Sequence, residues 1–132
     1  MKTIQSLTLI ILIAAVILAS CKKDEEDNSV TIEVISPSST NPMFDHGDKM
    51  HIHTIIKSND LHDVSLVIKN TTKDSIEYEF SDHSHEVEYV IHKDYTFEVD
   101  DHTDYVVTIT GSNHAGEKES AEFFPHVMPE EE

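Results

Sequence analysis

Ten histidines stand in this 132-residue chain, against nine lysines and no arginine. Two pairs have the form His-x-His: His51 and His53 in "HIH", and His83 and His85 in "HSH". Residues two apart on a strand point to the same face, so His51 and His53 send two imidazoles to one side, while the second pair lies in or beside a loop. Neutral imidazole nitrogens suit borderline transition ions, and four of them at about 2.0 to 2.1 Å complete a tetrahedral zinc site. Copper or nickel would accept the same donors. The expected metal site is therefore His51, His53, His83 and His85, the second pair, beside Asp82 and Glu86, closing over the first. His62, His92, His102 and His114 offer further nitrogens outside that set, and His46 and His126 are peripheral to it. Unless the pairs converge, the same residues are only polar side chains on solvated strands.

The elements that must carry these histidines read as strands. In "KMHIHTII" the core side takes Met50, Ile52, Thr54 and Ile56, which turns His51 and His53 outward together. The same period of two recurs in Val30, Ile32 and Val34, in Val64, Leu66 and Ile68, and in Ile76, Tyr78 and Phe80. It continues through Val87, Tyr89 and Ile91, then Tyr95, Phe97 and Val99, then the runs at 105–110 and 120–124. Residues that favour turns fall between the runs: Pro37, Pro42, Gly47, Asn59-Asp60, 70–74, 100–104 and 111–116. Eight short strands without a helical period predict an all-β fold, an antiparallel β-sandwich over residues 30–127 with an acidic tail at 128–132. Asp104-Tyr105 resembles the tyrosine corner of immunoglobulin-like domains, and "SNHAGE" resembles the turn before their last strand, although the cysteine pair and tryptophan of antibody domains are missing. The sandwich is thus expected to be immunoglobulin-like.

At the N-terminus, Met1-Lys2 precedes thirteen residues, 7–19, without a charge or proline. A membrane helix needs about 20 residues, so the run is too short to span and has the length of a signal-peptide core. It ends Leu18-Ala19-Ser20-Cys21, which resembles the lipobox of bacterial lipoproteins and contains the one cysteine. The resemblance implies that residues 1–20 are removed and that Cys21 is acylated, so that the partner of the mature N-terminus is a lipid bilayer. Residues 21–29 have no apolar side chain to bury beyond Cys21 and are expected to be a disordered acidic tether. Within it, Lys23-Asp24-Glu25 resembles the signal that sends lipoproteins of the Bacteroidota to the cell surface. The layout "GDKMHIH", "LHDVSLVIKN", "DHSH" and "TDYVVTITGSNHAG" also resembles histidine-bearing immunoglobulin-like surface lipoproteins of that phylum. The implied address is the outer membrane, lipid-anchored and facing the extracellular side. Asp74-Ser75-Ile76 resembles the short O-glycosylation motif of the same bacteria, with Ser75 as acceptor.

Composition narrows the function. Loss of the leader leaves eight lysines against 26 acidic residues, a formal charge of −18. Such a surface repels phosphate backbones, which excludes nucleic acid as a partner. One cysteine forbids a disulfide within the chain. "DDHTD" at 100–104 lacks the calcium-loop spacing of an EF-hand, and no Gly-x-Ser-x-Gly elbow or glycine-rich phosphate loop occurs. Catalysis by a metal needs an open ligand position beside a shaped pocket, which a sandwich this small scarcely builds, so an enzyme is not expected. Two functions of different class fit: a non-catalytic surface protein that binds a divalent transition ion, zinc first, and a structural or adhesive module that engages another surface protein. Only the first requires the histidine pairing.

Overall fold

The computed structural model describes residues 28–130; the leader, Cys21 and the export signal lie outside the described residues. Among the described residues nine strands make two facing sheets: β1 (Thr31–Ser36), β2 (Met43–Asp45), β3 (Lys49–Lys57), β4 (Leu61–Asn70), β5 (Ser75–His83), β6 (Glu88–Thr96), β7 (Thr103–Asn113), β8 (Lys118–Phe123) and β9 (His126–Met128). One sheet has the order β1-β3-β6 and the other β2-β9-β7-β4-β5, with β8 also paired to β7. The fold is an all-β, immunoglobulin-like sandwich, antiparallel except where β2 runs parallel to β9.

Alternation is what fills the space between the sheets. Met50, Ile52, Thr54 and Ile56 of β3 face Val64, Leu66 and Ile68 of β4 and Tyr105, Val107 and Ile109 of β7, all of them buried. The burial of these branched and aromatic side chains, at about 25 cal/mol per Å² of apolar surface, is the main force that holds the layers together. At Gly111 the sheets approach closely: a Cβ built there would stand 2.6 Å from Ile56 Cγ2 and 3.1 Å from Val30 Cγ1. This glycine is required for space. Gly47 and Gly116 are required for backbone angle, with φ of +83° and +88° in open turns.

The strand pattern differs from the sequence expectation in several places, and Ile76 and Val87, which the alternation turned toward the core, are exposed. The runs at 86–91 and 95–99 are not two strands; β6 continues from Glu88 to Thr96, paired to β3 from Lys57↔Glu88 to Lys49↔Thr96. His92-Lys93-Asp94 contains no residue that forces a turn, and Lys93 keeps the inward period with its ammonium 4.0 Å from the centre of the Tyr78 ring. Phe97 and Val99 are buried as expected but beyond the end of that strand. The three-residue strands β2 and β9, too short to show a period, complete the edge of the larger sheet, and β9 carries the domain past residue 127 to Met128. Ser75 opens β5, where its hydroxyl donates to Glu77 Oε1 at 2.9 Å.

Candidate metal centre

At one pole of the sandwich three connections meet: the β3–β4 turn, the β5–β6 connection and the β7–β8 turn. Backbone bonds tie them together. Ser58 N donates to Val87 O, Leu61 N to Glu86 O, Ser84 N to His62 O, and His114 N to Asp60 O. Buried Asn113 adds a side-chain brace, as its Nδ2 donates to Ser58 Oγ at 3.3 Å and its Oδ1 accepts from Glu117 N at 2.9 Å. Satisfied polar groups of this kind fix loops that apolar packing alone would leave loose.

Four imidazoles converge on this frame, each delivered by a different local device. On β4 the register with β7 slips between Leu61↔Asn113 and Val64↔Gly111, so two residues face one. This bulge breaks the alternation and turns both His62 and Asp63 away from the core. His83 is the last residue of β5 and the direct cross-strand partner of Asp63. After it the chain bends inward at buried Ser84, whose Oγ accepts from Glu86 N at 3.1 Å, and His85 folds back over His83. His114 begins the β7–β8 turn.

The four rings close a circuit, with centroids 4.4 Å apart for His62–His83, 4.7 Å for His83–His85, 5.1 Å for His85–His114 and 4.4 Å for His114–His62. Ligand atoms of His62, His83 and His114 all lie within 4.8 Å of one another, and so do those of Asp60, His85 and His114. His83 Nε2 stands 3.2 Å from His85 Nε2. Two nitrogens bound to one tetrahedral zinc ion are separated by roughly 3.3 Å, from the bond length and the tetrahedral angle.

Carboxylates set the ring orientation. His83 Nδ1 donates to Asp63 Oδ1 at 3.2 Å, which leaves the Nε2 lone pair free toward His85. Asp60 Oδ2 lies 3.2 Å from His114 Nδ1, and Asp60 is itself close enough to His85 and His114 to serve as a donor. The hydrogen bond from His83, with His62 adjacent, holds the Asp63 carboxyl below the usual carboxylate range. His62 Nδ1 is 2.9 Å from Asp63 Oδ2 but out of line for a hydrogen bond, and is one of two buried side-chain polar atoms without such a partner among the described residues.

The four residues expected from the sequence therefore separate. His83 and His85 join the cluster, and their companions are His62 and His114 in place of His51 and His53. The latter face outward, as their alternation requires, on the other sheet: His51 Nδ1 contacts Asp94 Oδ1 at 2.6 Å, and His53 stacks on His92 with centroids 4.1 Å apart. His62 carried a readable signal, since Leu61-His62-Asp63-Val64 spaces two core residues three apart inside an alternating run. His114 carried only its place in a turn.

No protein-family model matches the sequence, and no curated protein matches it. Among solved structures, an engineered protein has a TM-score of 0.49 at 11% identity over 78% of this chain, which spans only 20% of that one. The CARDB domain of a Pyrococcus furiosus protein, solved with di-metal ions, has a TM-score of 0.48 at 11% identity, covering 77% of this chain and 93% of that one. Murine CRIg has a TM-score of 0.40 at 11% identity, covering 77% and 98%.

Proposed function

We propose that this domain is a non-catalytic module that binds a divalent transition ion, zinc first and copper or nickel by the same donors, on an outer-membrane lipoprotein anchored through Cys21 and facing the extracellular side. The observation that carries the reading is the convergence of His62, His83, His85 and His114, with Asp60 and Asp63 behind them. His62, His83 and His114 supply three mutually close donors, and His85, 3.2 Å from His83 Nε2, is the fourth that would close the shell, an arrangement that suits storage or capture better than activation of water. Asp63 keeps the proton of His83 on Nδ1, so its Nε2 is ready to bind. Asn113 Nδ2 donates to Asn28 O, so the chain enters the domain from the expected tether at the same pole as the cluster.

The test is the zinc content of the full chain, purified in detergent without a polyhistidine tag and dialysed at about pH 7.5 and then about pH 5.5. Binding through neutral imidazoles predicts one tightly held zinc that is lost at the lower pH. No zinc retained at the higher pH, or retention unaltered by His62→Ala with His83→Ala, would refute the reading.

A structural or adhesive module remains the second reading, favoured by Val87 and Val90, which are exposed at or beside the free edge of β6. Against it, Lys93 points inward from that edge strand, and an inward charge is a device that blocks addition of a foreign strand.

A further inference from the structure

β7 is bounded by histidine at both ends: His114 follows it and His102 precedes it. The strand rises about 33 Å between its ends, so His102 belongs to the opposite pole, out of reach of the cluster. There, Asp104 of β7 pairs in register with His126 of β9. His126 Nδ1 donates to Asp104 Oδ1 at 2.7 Å, and this leaves the Nε2 lone pair exposed to its other neighbour. That neighbour is His102 Nδ1, 3.4 Å away, with the two rings stacked at 22°.

We propose that His126 Nε2 and His102 Nδ1 form a second, separate transition-metal site at the pole far from the tether. Their separation is close to the roughly 3.3 Å of two nitrogens on one tetrahedral ion. The pair is built on fixed backbone. Asp104 N donates to Thr72 Oγ1 at 2.9 Å, His126 N to Pro42 O at 3.0 Å, and Thr103 Oγ1 to Asp101 O at 2.8 Å beside His102. His102 also lines an open cavity of about 500 Å³, which leaves room for water to complete the coordination of an ion held by the two nitrogens.

Binding moves no electrons and requires only that His102 carry its proton on Nε2, so that Nδ1 offers a lone pair. Two protein nitrogens bind more weakly than four, and copper(II), which stands highest in divalent affinity, is the probe that reveals the site.

The experiment is a copper(II) titration of the detergent-solubilised full chain by calorimetry, alone and as three variants: His102→Ala, Asp104→Asn, and His83→Ala with His114→Ala. His102 sits before the strand, so its removal leaves the β7–β9 pairing in place, which circular dichroism checks. The expected result is one copper fewer than wild type in His102→Ala, and about tenfold or more weaker binding of that same copper in Asp104→Asn. The cluster variant retains this copper whether or not the cluster itself binds metal. An unchanged number of coppers in His102→Ala would overturn the proposal. So would loss of every copper in the cluster variant.

Discussion

Around His51 and His53 the backbone of β3 runs straight, whereas between His83 and His85 it turns. Residues two apart on a straight strand stand about 6.7 Å from each other, twice the spacing of nitrogens on one ion. Their rings project side by side, and each finds its neighbour across the sheet: His51 takes Asp94 and His53 takes His92. Ile52 between them is buried and holds the strand flat against the core. Ser84 is also buried, but it is small and polar, and its Oγ stabilises a bend that folds His85 back to 3.2 Å from His83. The two regions teach that a shared face is insufficient for chelation; convergence needs a bulge, a bend or a turn that breaks the strand.

Removing each pair in turn should separate the two regions in the zinc-induced rise in melting temperature. At zinc a hundredfold above its dissociation constant the wild-type chain gains about 2.7 kcal/mol. His83→Ala with His114→Ala should abolish that gain, while His51→Ala with His53→Ala should keep it. Equal loss in both would merge the two regions. The carboxylates give the next contrast. Asp63→Asn should weaken zinc by about 10- to 100-fold in a chelator competition, because the charged, acceptor-only carboxylate that fixes the His83 tautomer is replaced by a neutral amide that can also donate. Asp94→Asn, which alters only the pair on β3 and β6, should leave affinity unchanged.

A smaller effect should follow from Ser84→Ala, which deletes the acceptor for Glu86 N. The cost is about 1 kcal/mol in denaturant unfolding, with zinc affinity falling alongside, because the bend positions His85. Smallest of all is the acid response of the metal-free chain. Asp63 titrates below its ordinary 3.8 in the folded state, so its contacts with His83 and His62 stabilise the fold above that pH and are lost as pH falls through the lowered value. Melting curves at decreasing pH should show a slightly shallower acid limb in Asp63→Asn.

Most of the sandwich was legible because alternation is a local property: Met50, Ile52, Thr54 and Ile56 occupy the core, and His51 and His53 face outward, as their spacing requires. The long β6 was not, since absence of a turn at His92-Lys93-Asp94 is a weaker sign than two apolar runs. Half of the cluster was named from the pattern "HSH". Its other half depends on which loops share a pole, and that is decided by the pairing of β4 with β5 and β7, not by spacing along the chain. The bulge at His62-Asp63 was visible as a broken period, but a broken period does not say where the side chains go.

Gly111 gives the cluster a mechanical property. Its backbone lies outside the left-handed region, so a hydrogen in place of a side chain serves only to let Ile56 approach. The two layers touch there as if at a stop, and His114 hangs three residues further along the same piece of chain. Ser58, which Asn113 holds, hangs two residues beyond Ile56 on the facing layer. The jaws that carry the histidines are thus gauged by the thickness of one α-carbon, and a methyl group at position 111 would act as a shim that opens them.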